Sequence, residues 1–250
     1  GQLRESAGIR LHGVTDVHVP ASRSPGKIVA PGRSSKPGVR TGIANEHSYP
    51  GRWLTPAHER RTHASGGDRM RVVSKFGGTS LGNGDRVNRA ADSIAAAVEA
   101  GHEVAVVASA MGSTTDHLLD EIQYEADEAD RAEIVSMGER TSVRMLKGAL
   151  SARGVNAVFL EPGSDDWPVI TDEHGEVDVD ETTRRAKVLA EQMHNDDVVP
   201  VITGFLAQDH AGNVTTLGRG GSDTTAVMLG KYMDADEVVI VTDVEGVMTG

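Results

Sequence analysis

The sequence predicts an α/β fold, a three-layer αβα sandwich with a mostly parallel central sheet. Along residues 71–241, short apolar runs typical of strands covered on both faces alternate with segments whose apolar residues recur every three or four positions. Glycine-rich loops follow several of the predicted strands or precede a predicted helix. In parallel sheets, ligands bind beyond the carboxyl ends of the strands.

Five short segments rich in valine, isoleucine and alanine are predicted to be strands of this sheet. In chain order they are 71–75, 104–108, 157–160, 198–202 and 237–241. A β-hairpin is also predicted, with strands 205–208 and 214–217 on either side of a turn that contains aspartate, glycine and asparagine.

Helices are predicted between these strands. In the first, Val87, Ala91, Ile94 and Val98 form one buried face, and Gly101 is expected to end the helix. Four more helices follow: one around 118–122, one over 134–150, one over 182–193 and one over 222–233.

The first 69 residues differ from the rest in composition. They hold six of the nine prolines and no sustained apolar period, so we expect them to be disordered. A targeting segment, a nucleic-acid-binding arm and sequence upstream of the true start are three explanations. Met70 lies directly before the first strand pattern, which favours a non-native extension over 1–69 and a catalytic domain over 70–250.

Charge is divided unevenly along the chain. Residues 1–69 hold 11 of the 25 Lys and Arg but 5 of the 37 Asp and Glu, so they carry +6 and the remaining residues −18. An acidic body repels nucleic acid. Its carboxylate-rich, lysine-poor composition is typical of surfaces in high salt, which suggests a halophilic source.

Several classes of protein are made less plausible by composition. With no cysteine, the chain forms no disulfide and uses no thiolate chemistry. No apolar run approaches the roughly 18 residues that cross a bilayer, and no histidine pair has the spacing of metal ligands. We therefore expect a cytoplasmic protein that binds neither membrane nor nucleic acid and has no protein-held metal.

A phosphate-binding composition occurs at 75–80, where Lys75 ends a strand and Gly77, Gly78, Thr79 and Ser80 follow. Paired glycines let backbone N–H groups approach an anion, and the lysine adds a point charge. An ordinary turn after a strand is an equally good explanation of this segment by itself.

A second loop, 218–223, places three glycines around Arg219 and precedes a helix that Ser222 could cap. A guanidinium on a pliable loop suits bidentate capture of a carboxylate or a phosphate. A loop with an ordinary helix cap is the alternative.

Other polar residues lie where strands end or on helices. Ser109 and Thr115 follow one buried strand, and Thr242 and Asp243 follow another, so both pairs could face a ligand or simply cap strand ends. Glu139 is on a predicted helix, where most glutamates are merely solvated.

Four segments in this order resemble the aspartate kinases of the amino acid kinase family. They are 75–80 (KFGGTS), 136–139 (SMGE), 216–223 (TLGRGGSD) and 242–246 (TDVEG). The resemblance spans most of 70–250. It implies a domain that moves the γ-phosphate of ATP to the β-carboxylate of L-aspartate, giving 4-phospho-L-aspartate, the first step toward lysine, threonine and methionine.

The resemblance also implies an acceptor site. Arg219 would hold a carboxylate of the substrate and Glu139 its ammonium group. Ser109, Thr115 and Ser222 would complete the aspartate pocket.

For ATP, the resemblance implies that Lys75 neutralises the transferred phosphoryl group, with backbone N–H groups from Gly77 and Gly78. Thr242 and Asp243 would contact the nucleotide. Mg²⁺ is expected to be bound through the nucleotide phosphates. Relatives often carry an aromatic residue where this chain has Met248, which puts one nucleotide contact in doubt.

The acceptor carboxylate is already ionised at pH 7, since its unperturbed pKa is about 4. The reaction therefore needs no general base, and Asp223 is expected to organise Lys75 and the metal nucleotide. Lys75 and Asp223 are the predicted catalytic residues. The resemblance further implies that relatives continue past residue 250 into regulatory ACT domains, and we expect the full-length protein to be a homo-oligomer.

Two alternative functions fit the same residues. The chain could phosphorylate another acid or a nucleoside monophosphate, although one anionic and one cationic partner suit an amino acid better. It could also be a silent module that senses aspartate or nucleotide, although Lys75 and Asp223 favour an enzyme.

Overall fold

The structure, a computed structural model, describes the backbone of residues 40–44 and residues 69–242 with their side chains. The strands are β1 (Arg40–Ala44), β2 (Arg71–Phe76), β3 (Glu103–Ala108), β4 (Ala157–Leu160), β5 (Ile170–Thr171), β6 (Val199–Thr203), β7 (Leu206–Asp209), β8 (Val214–Thr216) and β9 (Glu237–Val241). A six-stranded, fully parallel sheet forms the centre, in the order β1-β9-β2-β3-β6-β4. A smaller sheet has the order β5-β7-β8, with β7 and β8 antiparallel.

Helices cover both faces of the large sheet, which confirms the predicted three-layer sandwich. They are a 3₁₀ turn (Thr79–Leu81), α1 (Gly84–Glu99), α2 (Thr114–Glu121), α3 (Glu128–Ser151), α4 (Val179–Asp196) and α5 (Gly221–Tyr232). Among residues 69–242, the structure contains no helix that could span a bilayer.

Local sequence sets the ends of the helices. The Asn83 side chain accepts a hydrogen bond from Arg86 N and caps α1. At its other end Gly101 has φ +88°, its N–H donates to Val98 O, and His102 N–H donates to Ala97 O. This pair of bonds is a Schellman motif, so the predicted end of α1 at Gly101 is confirmed.

The alternation of side chains along the strands divides the core in two. Val72 and Phe76 of β2 point to the layer of α1 and α3, together with Ile94 of α1. Val73 points to the layer of α4 and α5, where Leu229 lies. The period of two in a strand therefore also turns Lys75 toward the α5 side of the sheet.

Several features differ from the sequence predictions. α3 begins at Glu128, six residues before the predicted start at 134, because Asp127 caps it by accepting from Asp130 N. β5 was not predicted, because two residues are too few to show a period. α4 begins at Val179, three residues early, because Asp178 caps it by accepting from Glu181 N. β1 lies within the segment that we expected to be disordered and pairs with β9; the rest of 1–68 lies outside the described residues.

Candidate active site

A cleft of about 580 Å³ opens where the carboxyl ends of β2, β3 and β6 meet the start of α5. All seven residues predicted for catalysis and for the acceptor site line it. Its lining residues are Lys75, Ser109, Thr115, Asp116, Leu119, Glu139, Phe205, Thr216, Gly218, Arg219, Gly220, Gly221, Ser222 and Asp223. Chain segments up to about 150 residues apart in sequence thus converge on one site, as expected at the carboxyl edge of a parallel sheet.

Lys75 lies next to the last residue of β2, on the face that α5 covers. Its Nζ is 2.7 Å from Asp223 Oδ1 in the first turn of α5. The lysine side chain is only 13% exposed and that of the aspartate is 56% exposed. The ammonium group is therefore held at the base of the cleft, while the carboxylate can still reach a ligand or a metal from the open side.

The glycines after β2 serve the packing of the loop. A Cβ at Gly78 would lie 2.8 Å from the carbonyl oxygens of Ala110 and Gly112, so only glycine fits there. The Gly77 N–H donates to Val241 O at 3.4 Å. The proposed N–H contacts of Gly77 and Gly78 with phosphate stay a prediction, and for Gly77 this weak bond to β9 would have to open.

Arg219 lies at the mouth of the cleft on the turn between β8 and α5. Gly218 and Gly220 on either side of it have φ of +72° and +75°, conformations that glycine adopts without strain. Within the part of the chain that the structure describes, the exposed guanidinium has no hydrogen bond or ion pair. Its five donors are available to an anion.

Glu139 is buried, at 3% exposure, on α3. Burial raises the pKa of its carboxyl group to about 7, although hydrogen bonds from its own backbone N–H, from Ala110 N–H and from the Thr115 side chain partly offset this effect. Oε1 accepts from Ala110 N at 3.3 Å, and Oε2 has no partner among the described residues. Oε2 is itself buried and Glu139 lines the cleft, and a buried, unpaired carboxylate oxygen gains stability from a cationic partner.

Small residues let this glutamate reach the cleft. A Cβ at Gly138 would lie 2.8 Å from the Ala110 Cβ, so the glycine permits α3 to approach the loop after β3. Thr115 lies on α2, and Ser109 follows β3 directly. Both are half-buried and line the cleft, so they can add hydroxyl donors around Glu139.

Ser222 does not cap α5, contrary to the sequence prediction. Gly220 is the N-cap, with φ +75° and no side-chain bond, and Ser222 is the second residue of the helix. The hydroxyl group instead lies against Gly204, where a Cβ would come within 2.6 Å of Ser222 Oγ. Ser222 lines the cleft and remains a candidate contact for the acceptor.

Thr242 directly follows β9 and therefore lies at the same edge of the sheet as Lys75. It does not line the cleft. Asp243 and Met248, the other expected nucleotide positions, lie outside the described residues.

Sequence reasoning missed four lining residues, namely Asp116, Leu119, Phe205 and Thr216. Leu119 and Phe205 give the cleft an apolar side. Phe205 has φ +68°, a conformation that is rare for an aromatic residue. The sequence offered one indication that Phe205 lines the site: it follows Gly204 just after strand β6, as Ser109 follows strand β3.

No group of three or more His, Asp or Glu side chains within 69–242 is arranged to hold a metal ion. Asp223 is one exposed carboxylate in the cleft, and Lys75 already pairs with it. The donor set here fits a divalent cation that arrives with nucleotide phosphates, whose oxygens would supply most of its ligands.

Similarity to known proteins extends over most of the chain. Residues 70–250 match the family model of the amino acid kinase family. The aspartokinase of Geobacillus stearothermophilus is 37% identical over 186 residues, which are 71% of this chain and 44% of that protein. The aspartokinase of Pseudomonas aeruginosa is 39% identical over 185 residues, 71% of this chain and 43% of that protein. The chain thus spans less than half the length of these relatives.

Solved structures of aspartate kinases are also similar to this chain. E. coli aspartokinase III, in complex with aspartate and ADP, superposes with a TM-score of 0.58 at 26% identity, over 68% of this chain and 48% of that chain. The aspartate kinase of Synechocystis superposes with a TM-score of 0.55 at 34% identity, over 69% of this chain and 28% of that chain.

Proposed function

Because the chain belongs to the amino acid kinase family, we propose that it transfers the γ-phosphoryl group of ATP to the β-carboxylate of L-aspartate, giving 4-phospho-L-aspartate and ADP. Relatives named aspartokinase, and a neighbouring structure that binds aspartate and ADP, support this choice of acceptor and nucleotide.

One observation carries the proposal: Lys75, Glu139 and Arg219 line the same cleft. Aspartate carries two carboxylates and one ammonium group. The free guanidinium of Arg219 matches a carboxylate, and the unpaired Oε2 of buried Glu139 matches the ammonium group. Lys75 is left to face the transferred phosphoryl group.

The chemistry needs charge neutralisation more than proton transfer. The attacking carboxylate oxygen is ionised at pH 7 and carries no proton to remove. It must approach a polyphosphate of the same sign, and a cation fixed beforehand lowers that barrier most. Lys75 meets this requirement because Asp223 holds its ammonium group in place at 2.7 Å.

Mg²⁺ bound to the phosphates would neutralise part of their charge. Asp223 is the residue of the cleft best placed to orient such a cation, because it is exposed and adjoins Lys75. The β-carboxylate would attack the γ-phosphorus, a new carboxyl–phosphate bond would form, and the bond to the ADP oxygen would break.

The test is release of ADP by the purified 250-residue chain with Mg²⁺, ATP and one of three acceptors: L-aspartate, L-glutamate or uridylate. Hydroxylamine added to the reaction traps an acyl phosphate as a hydroxamate, which distinguishes carboxylate phosphorylation from ATP hydrolysis. We expect hydroxamate with aspartate and little with glutamate. Turnover with uridylate or glutamate but not aspartate would contradict the proposed acceptor.

A further inference from the structure

The chain makes a tight turn between β6 and β7. Leu206 N–H donates to Gly204 O at 2.7 Å, which closes a three-residue turn around Phe205. With φ +68°, Phe205 adopts the left-handed region that bulky residues avoid. Such a conformation persists only where neighbouring contacts impose it, and it occurs most often at functional sites.

Two hydrogen bonds of the Phe205 backbone, one to a backbone N–H and one to a side-chain hydroxyl, tie this turn to both ends of the segment that carries Arg219. Phe205 O accepts from Leu217 N at 2.8 Å, before the arginine. Phe205 N–H donates to the Thr225 hydroxyl at 3.2 Å, after it. Thr225 is fully buried and its hydroxyl also donates to Gly221 O at 2.9 Å.

Two glycines allow the turn to pack closely against the start of α5. A Cβ at Gly221 would lie 2.8 Å from Phe205 Cδ2 and 3.0 Å from its Cα. A Cβ at Gly204 would lie 2.7 Å from Ser222 Cβ. The ring and backbone of the turn are therefore packed directly on Gly221 and Ser222.

We propose that Phe205 is a positioning residue for the acceptor: the strained turn at 204–206 clamps the 217–225 segment and so holds Arg219 and Ser222 in the cleft. This inference rests on the proposed function for its substrate. Arg219 has two flexible glycine neighbours and no partner of its own among the described residues. The Gly221 N–H donates to Gly218 O at 3.0 Å and closes the turn that carries Arg219, and the bonds from Phe205 on either side fix where that turn lies in the cleft.

The clamp predicts a selective kinetic effect. Aspartate affinity depends on Arg219. Asp223 also lies within 217–225, but it is held separately, by its ion pair with Lys75 on β2 and by its N–H bond to Gly220 O in the first turn of α5. Loosening the loop should therefore raise KM for aspartate and leave KM for ATP nearly unchanged. Removal of a merely structural residue would change both constants together with thermal stability.

The experiment compares Phe205→Ala and Phe205→Leu with Phe159→Ala in the full 250-residue chain. Phe159 is a matched control, because it lies on edge strand β4 against Arg144 and does not line the cleft. We expect Phe205→Ala to raise KM for aspartate at least about tenfold, with KM for ATP within about twofold. Phe205→Leu keeps an apolar side chain on Gly221 and should show a smaller rise.

A second readout is independent of turnover. Trypsin cleaves after exposed arginines in segments that open, so cleavage after Arg219 reports the mobility of its loop. Phe205→Ala should accelerate that cleavage at least about fivefold relative to the wild type and Phe159→Ala. Phe205→Leu serves the same measurement should the alanine variant fail to fold.

The outcomes separate the two proposals. Both Phe205 variants keep the backbone hydrogen bonds of the turn and change only the packing of the side chain on Gly221. Wild-type KM for aspartate and wild-type cleavage after Arg219 in both variants would therefore overturn the positioning role of Phe205, while the kinase assignment would stand. If the wild-type chain does not phosphorylate aspartate, the proposed function fails, and the rate of cleavage after Arg219 alone decides whether the turn holds the loop.

Discussion

The ammonium group of Lys75 lies 2.7 Å from the carboxylate of Asp223, although 148 positions separate the two residues in sequence. The pair joins the end of β2 to the first turn of α5. It sets the position of the partly buried lysine ammonium group before any ligand arrives. Preorganised charge of this kind is the largest contribution to catalysis in many enzymes.

Replacing either proposed cation should reduce activity strongly. Lys75→Ala and Arg219→Ala are each expected to lower kcat/KM for aspartate on the order of 10²–10³-fold, because each removes a charge that stabilises meeting anions. Steady-state kinetics with the hydroxamate readout measures this effect. Lys187→Ala and Arg89→Ala, which remove exposed cations from α4 and α1, are the controls. Wild-type rates in both cleft variants would refute the site assignment.

Aspartate binding should weaken in acid. Burial raises the pKa of Glu139 to about 7 in the free protein, and only its ionised form can pair with an ammonium group. At pH 6 about a tenth of the protein has this charge, so the apparent KM for aspartate should be roughly tenfold higher than its limit at high pH. The acceptor itself does not titrate between pH 6 and 8, so a flat KM profile there would contradict the role of Glu139.

The same residue should cost stability when it is ionised. A carboxyl group whose pKa is raised in the folded state stabilises the fold below its unfolded pKa, and this contribution is lost as pH rises through the folded value. For Glu139 the window runs from pH 4.5 to about 7. Over this pH window the free energy of unfolding falls by roughly 3 kcal/mol.

Glu139→Gln removes this titration. Its free energy of unfolding relative to the wild type should therefore increase between pH 5 and pH 8, by up to roughly 3 kcal/mol. Urea denaturation at both pH values provides the measurement. A stability difference that is independent of pH would show that the carboxylate is not desolvated.

Two glycines of α3 should respond oppositely to alanine. Gly148→Ala adds a methyl group where no atom lies within 4 Å and should stabilise the helix by about 0.5–1 kcal/mol. Gly138→Ala places its Cβ 2.8 Å from that of Ala110 and should destabilise the protein by about 1–3 kcal/mol. Chemical denaturation of both variants tests this. A stabilising Gly138→Ala would mean that α3 does not approach the loop after β3 so closely.

Salt should raise the melting temperature. Residues 70–250 carry a formal charge of −18 and contain four lysines. Salt screens the repulsion between exposed carboxylates, with a Debye length of about 10 Å at 0.1 M and 3 Å at 1 M. Differential scanning calorimetry from low to molar KCl measures the change. A melting temperature that stays constant would argue against the halophilic interpretation.

Much of this site was predictable because its residues sit at strand ends, and strand ends are easy to locate. Lys75, Ser109 and the Arg219 loop each follow or adjoin an apolar run, and parallel strands bring such positions together. Phe205 was not predictable, because its role depends on a positive φ and on contacts with Gly221 that no local pattern encodes. The expected cap at Ser222 was wrong because Gly220 already turns the chain into α5.

The order of strands has a consequence for biogenesis. β2 pairs on one side with β3, close in sequence, but on the other with β9, and Asp236 N–H donates to Arg71 O across 165 positions. At roughly 5–20 residues per second, a ribosome needs about 10–30 s to make the intervening chain. During that interval the β9-facing edge of β2 has no partner strand. Lys75 is already synthesised, but its partner Asp223 and most of the cleft are not. Factors that shield exposed strand edges should therefore influence the yield of this protein.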